Sequence, residues 1–223
     1  MSVYDVSVVI PTYQHGHLLQ RAVLSALQAG AAEVVIVDDC STDNTETIGR
    51  NLAKGERVLY LRNPFHAGTI YARNRAIHSA TYNLIVPLDS DDRLITLAPL
   101  IEAYQLGTWV TGGWREDNTD YKCPPAGMLR QKELGWVTSL FAKQDWYEVG
   151  GYNPVFSIGN EIFAYQRALI LHGIIPVIVP DIIFERNTDA PNTARARAWN
   201  HIIKPLIDDI YPYPEVPISA IIR

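Results

Sequence analysis

The chain has 223 residues, 48% of them hydrophobic and 19% charged, a balance that fits one well-filled globular domain and excludes a disordered or fibrous chain. Its net charge of −5 excludes nucleic acid as a generic partner, because phosphate backbones are bound by basic surfaces. A single nucleotide stays compatible, since a metal and one or two arginines offset its charge locally.

Val6 to Ile10 reads as a buried strand ended by Pro11. Leu18, Leu19, Ala22, Val23, Ala26 and Leu27 recur at helical spacing, and Gly30 closes that helix. Val34 to Val37 is a second strand, running into Asp38 and Asp39. Asp43 and Glu46, three residues apart, predict a capping box that opens the next helix. Val58 to Leu61 is a third strand, Ile70 to Ala80 a third helix, and Leu84 to Leu88 a fourth strand. Such a βαβαβαβ series predicts an α/β fold: a Rossmann-like, mainly parallel sheet with right-handed crossovers and helices on both faces.

After Arg93 the rhythm changes. Pro99 to Leu106 reads as a helix and Thr108 to Trp114 as a strand, and Glu116 to Gly127 is a polar loop carrying Pro124 and Pro125. Trp136 to Ala142 and Ile174 to Val179 read as short strands, Gln144 to Val149 and Glu161 to His172 as helices. Thr193 to Ile203 is a last helix, broken at Pro205. We expect a single domain over 1–223, with a nucleotide-type half at 1–93 and a more irregular half at 94–223.

Chemistry gathers at the strand ends. Residues 84–93, Leu-Ile-Val-Pro-Leu-Asp-Ser-Asp-Asp-Arg, stop an apolar run in Asp89, Asp91 and Asp92. Parallel strands deliver such ends to the carboxyl rim of the sheet, where open α/β folds bind ligands. If the chain stays extended past Leu88, Asp89 and Asp91 point to one side. Two hard oxygen donors so placed suit Mg²⁺ or Mn²⁺, with water and a diphosphate in the remaining positions. An acidic solvated loop is the plain alternative. Neither a Walker loop nor a Gly-x-Gly-x-x-Gly turn follows the first strand, which counts against a nucleotide triphosphatase or a dinucleotide enzyme. His15, His17, His66 and His78 show no spacing that suggests zinc.

Residues 6–13 (Val-Ser-Val-Val-Ile-Pro-Thr-Tyr), 34–43 (Val-Val-Ile-Val-Asp-Asp-Cys-Ser-Thr-Asp), 67–74 (Ala-Gly-Thr-Ile-Tyr-Ala-Arg-Asn) and 88–92 (Leu-Asp-Ser-Asp-Asp) resemble the successive signatures of family 2 glycosyltransferases of the GT-A fold. Gly150-Gly151-Tyr152, then Gly159-Asn160-Glu161 and Arg167, resemble the family's acceptor-side segment. The resemblance implies inverting transfer of a sugar from a nucleoside diphosphate sugar, most often a UDP-sugar, to a saccharide, lipid-linked or other hydroxyl acceptor, assisted by Mn²⁺ or Mg²⁺. It makes 1–93 the nucleotide-sugar half and 94–223 the acceptor half. By position, Pro11, Thr12 and Tyr13 would lie beside the nucleobase and ribose, and Asp39 would accept a hydrogen bond from the base. Arg73 would approach the nucleotide or its phosphates. Asp89 and Asp91 match the DxD motif, Asp91 being the direct metal ligand, with Ser90 between them and Asp92 contacting the sugar or orienting the cluster. Glu161 falls where the family carries its general base.

Two departures stand out: the usual Glu-Asp pair reads Asn160-Glu161, and His66 replaces the Asn usual two residues before Gly68. Asp38 reads more simply as a turn residue satisfying backbone donors, and Asp43 as a helix cap. Two other classes stay open, a sugar-nucleotide-binding protein that has lost catalysis and a nucleotidyltransferase, although the latter is expected to have a Gly-rich, basic first loop that Pro11 to His17 does not supply. Cys40 and Cys123 are expected to be free thiols of a reducing compartment. Met1 to Ile10 has no basic region followed by a long apolar run, and Gly173 to Phe184 is broken by Pro176, Pro180 and Asp181. The expected location is cytoplasmic, with peripheral contact at the inner face of the membrane left open; no oligomeric state follows.

Overall fold

Alternation along the apolar runs sorts their side chains onto two faces, and each face is covered by different helices. The computed structural model describes residues 4–122, 137–156 and 161–187. Its first part runs β1 (Val6–Thr12), α1 (Gly16–Gln28), β2 (Glu33–Asp38), α2 (Thr45–Leu52), β3 (Val58–Arg62), α3 (Thr69–Ser79) and β4 (Leu84–Pro87). These strands are parallel in the order β3-β2-β1-β4, and β8 (Phe141–Ala142) adds antiparallel to β4. Val8, Ile10, Val34, Ile36, Val86 and Leu88 face Leu19, Val23 and Ala26 of α1. Their neighbours Val9, Val35, Val37 and Ile85 face Ile70, Ala76 and Ile77 of α3. Each such buried Val, Leu or Ile stabilises the fold by about 1.5–3 kcal/mol.

The sheet order reverses between β1 and β4, because β2 lies on one side of β1 and β4 on the other. At that switch point the connections leave in opposite directions and open a crevice at the carboxyl ends of the strands. Thr12 and Asp89 therefore come to the same rim.

The later residues build a second sheet instead of irregular structure. β5 (Arg93–Leu94), β9 (Ile175–Glu185), β6 (Thr108–Glu116) and β7 (Thr119–Tyr121) lie in the order β5-β9-β6-β7. Around them are α4 (Ala98–Ala103), α5 (Lys143–Glu148), a 3-10 turn (Pro154–Phe156) and α6 (Glu161–Leu171). Val110, Val177, Val179, Ile183 and Phe184 of this sheet pack into the same core as Val8 and Ile10.

Several local expectations are corrected. β1 continues through Pro11 to Thr12; the missing N–H of Pro11 points to the side of β4, whose pairing stops at Val9, so no ladder bond is lost. The capping box does not form. Asp43 instead accepts from the N–H groups of Thr45 (3.0 Å) and Gly16 (3.1 Å), while Glu46 turns to Arg50 and Arg62. β9 runs through Pro180 and Asp181 because a bulge opposes 178–182 to 111–113 of β6 and removes the proline from the ladder. Part of the polar loop is a hairpin between β6 and β7, with Asp117 and Asn118 at φ 48° and 60°, the paired positive φ of a tight turn. The strand read over 136–142 reduces to β8 and a bridge at Leu140. The helix read at 193–203 and Pro205, with Cys123, Pro124, Pro125, Trp136, Gly159 and Asn160, lie outside the described residues. Among the described residues no helix is long and apolar enough to cross a membrane.

Candidate active site

The chain does not stay extended past β4. The N–H of Asp92 donates to the carbonyl of Asp89 (3.1 Å), a turn that separates the three acids, so Asp89 and Asp91 are not set side by side by strand alternation. Asp89 reaches inward, where Arg73 donates to its Oδ1 at 3.0 Å. Ser90 is buried with its Oγ 2.8 Å from Nδ1 of His15. The Asp91 carbonyl accepts from Arg21. Asp92 is buried and accepts from the N–H of Asn187 at 2.9 Å.

Burial, and then the nearby Asp89, push the Asp92 carboxyl up to about 8. The same two causes, in the same order, raise Asp91. Carboxylates crowded under partial burial repel one another, and a divalent cation relieves that repulsion. Among the described residues there is no ready-made group of three or more His, Cys, Asp or Glu. The carboxylates of Asp89, Asp91 and Asp92 are hard oxygen donors, the kind a cation such as Mg²⁺ takes one or two at a time alongside water and phosphate oxygens.

Arg73 lies beneath this rim, only 2% exposed. It donates to Asp89 on one side and to Oε1 of Glu161 (3.5 Å) on the other, and its guanidinium stands 5.3 Å from the Tyr152 ring centre. Glu161 opens α6 and is also buried. One cation thus ties the strand-end acid to the acid on α6. Asn74, next on α3, donates to the Tyr152 carbonyl (2.7 Å) and accepts from its N–H (3.0 Å) and from Nε1 of Trp146 (3.3 Å). Gly151 permits this approach: its φ is +73°, and a Cβ there would sit 2.9 Å from the Trp146 indole.

On the β1 side, Pro11 and Thr12 are buried and Tyr13 is exposed. Asp39 is 2% exposed and its carboxylate accepts from three donors. Its Oδ1 accepts from Nδ2 of Asn63 (2.7 Å) and the Ala67 N–H (3.0 Å), and its Oδ2 from the Gly68 N–H (2.6 Å). Nδ1 of His66 lies 2.8 Å from the same Oδ2, and the His66 ring stacks on Tyr13 at 4.0 Å. Asp38 is a turn residue, accepting from the Ser41 N–H (2.9 Å), the Tyr60 hydroxyl (2.7 Å) and Arg62 (2.8 Å).

The structure brings Arg73, Asp89 and Glu161 together, leaves Asp91 and Asp92 beside them on the turn, and sets Tyr13 and Asp39 at the neighbouring strand ends. Sequence reasoning gave no role to His15, Asn74, Tyr152 or Arg186. Arg186 lies close enough to lower both Asp91 and Asp92 against burial. The Gly-Gly-Tyr segment marked Tyr152; nothing local marks Arg186, which arrives from the end of β9.

The sequence profile of Glycosyl transferase family 2 matches residues 7–122, which includes every strand end described on β1, β2 and β4. The chain belongs to glycosyltransferase family 2. It is similar to a putative colanic acid biosynthesis glycosyl transferase of Escherichia coli (strain K12), 33% identical over 169 residues, covering 72% of this chain and 56% of the relative. It is also similar to a UDP-Glc:alpha-D-GlcNAc-diphosphoundecaprenol beta-1,3-glucosyltransferase of Escherichia coli, 34% identical over 94 residues, 41% of this chain and 37% of the relative. The family 2 chain thus spans little more than half the length of the first relative and less of the second. Its fold matches a mannosyltransferase from Pyrobaculum calidifontis solved with GDP-Man and Mn²⁺, with a TM-score of 0.75, 19% identity, and coverage of 98% of this chain and 68% of that one.

Proposed function

We propose that the chain transfers a sugar from a UDP-linked donor to a hydroxyl acceptor, with inversion and with Mn²⁺ or Mg²⁺. The observation that carries this reading is Arg73, buried between an acid at the switch point and an acid on α6. Tyr13, Thr12 and Pro11 flank the nucleoside, Asp39 takes the base, and Asp91 with Asp89 holds the cation, Ser90 and Asp92 shaping the turn around them. The Escherichia coli relative that uses UDP-Glc and a diphosphoundecaprenol-linked acceptor supports a UDP-sugar and a lipid-linked acceptor, and the Pyrobaculum structure supports the metal. Residues 1–93 and 94–223 act as donor and acceptor sides of one domain. A cytoplasmic protein touching the inner membrane face would meet such an acceptor.

Departure of a diphosphate builds negative charge on phosphate and positive charge on the sugar ring. A bound divalent cation supplies Lewis-acid stabilisation of that leaving charge. Glu161, on the far side of Arg73 from Asp89, takes the acceptor's hydroxyl proton as the oxygen attacks. Arg73 gives Glu161 a countercharge and a fixed direction. A single displacement inverts the anomeric carbon, the charge logic being that of an inverting glycosidase with a different leaving group.

A thermal-shift panel of UDP- and GDP-sugars, with and without Mn²⁺, tests the reading, since a ligand that binds the folded state raises the midpoint. A UDP-sugar should raise it most, and only with metal, and should then release UDP slowly in water. No shift with any nucleotide sugar overturns the proposal; a shift without any UDP release replaces it with binding alone.

A further inference from the structure

The departure at position 66 has a physical consequence. A carboxylate has about four lone-pair sites; Asp39 gives three of them to Asn63, Ala67 and Gly68, and Nδ1 of His66 stands 2.8 Å from Oδ2 while its hydrogen bond goes to the Asp39 carbonyl at 3.4 Å. A nucleobase N–H reaches the Asp39 carboxylate only when one of these groups moves aside. Asn63 is buried, and Ala67 and Gly68 donate from the backbone of the loop that enters α3. His66 is different: its side chain is 54% exposed and is held by this contact and by stacking on Tyr13 at 4.0 Å, 25° from parallel.

A flat heteroaromatic ring stacked on Tyr13, with a ring nitrogen 2.8 Å from Oδ2 of Asp39, occupies the space a pyrimidine base takes in the site as proposed. We infer that the His66 ring holds the base position in the donor-free protein and has to swing out for a nucleotide to bind. This rests on the donor-site reading above. His66 then sets donor affinity directly: the apparent dissociation constant is the intrinsic one divided by the fraction of molecules with the slot open. The same exchange makes His66 a selectivity residue, because a base that fails to replace both the contact at Asp39 and the stack leaves the imidazole in place.

Calorimetry of UDP and GDP binding in Mn²⁺, for the wild type and for His66→Ala, tests this, with NMR of the His66 ring as the second readout. His66→Ala should tighten UDP binding by roughly three- to thirty-fold, the reciprocal of a minor open fraction. In the wild type, UDP should remove the ring-current shift that Tyr13 imposes on the His66 ring protons. Tyr13→Ala, which removes both the imidazole's platform and the base's, should abolish that shift without nucleotide. Unchanged or weakened UDP affinity in His66→Ala, or His66 signals that stay fixed at saturating UDP, overturns the inference and leaves the donor site intact. Failure of the wild type and His66→Ala alike to bind either nucleotide overturns the donor-site reading, and this inference with it.

Discussion

Arg73→Gln should destabilise the protein by about 3 kcal/mol, the low end of the 3–5 kcal/mol for breaking a buried ion pair from one side. The structure sets that choice. The arginine side chain is 2% exposed and Glu161 11%, but Asp89 is 39% exposed and lies partly in water. The Asp89 contact is therefore screened and adds little. Most of the loss comes from the buried contact with Glu161 and from the cation–π contact with Tyr152. Equilibrium urea unfolding should show it as a midpoint roughly 1–1.5 M lower, for a slope of about 2–3 kcal/mol/M. Arg73→Lys keeps the charge but not the two-pronged donor, and should recover part of the loss. A midpoint within about 0.3 M of wild type would refute the bridge as a source of stability, and with it the reasoning that Arg73 positions Glu161.

Glu161→Gln keeps size and hydrogen bonding but cannot take a proton, and should cut sugar transfer by roughly 10²–10⁴-fold while UDP affinity in Mn²⁺ stays near wild type; transfer assays at saturating donor decide it. Gly151→Ala should cost about 1–3 kcal/mol in urea unfolding, since it combines a left-handed φ with a Cβ 2.9 Å from Trp146. Gly150→Ala, at φ +80° with open space around it, is the control for the dihedral alone and should cost less.

Much of the first half was legible because its signals are local. Short apolar runs at 6–10, 34–37, 58–61 and 84–88 and helical spacing in 18–27 and 70–80 agree with β1 to β4, α1 and α3 within a residue or two. Of the second sheet, the strands read at 108–114 and 174–179 agree with β6 and the first half of β9, while the continuation of β9 was not legible, because Pro180 and Asp181 read as an interruption and only the bulge against β6 shows how they are accommodated. The strand ends pointed to the rim, where Asp39 and Asp89 do lie. What the acids bind there was beyond sequence: Arg73 and Glu161 are 88 residues apart and meet only in the folded chain. His66 was noticed as a departure, but its meaning needed Tyr13 and Asp39 in space.

The central claim is that the switch-point turn binds a nucleoside diphosphate through a divalent cation held by Asp91. Calorimetry of UDP binding with Mn²⁺ and with chelator, for the wild type and Asp91→Asn, tests it most directly. The account predicts strong binding only for the wild type in metal, with Asp91→Asn losing most of the difference between the two conditions. Equal wild-type affinity with and without Mn²⁺, or an Asp91→Asn chain that keeps the full metal dependence, would contradict it.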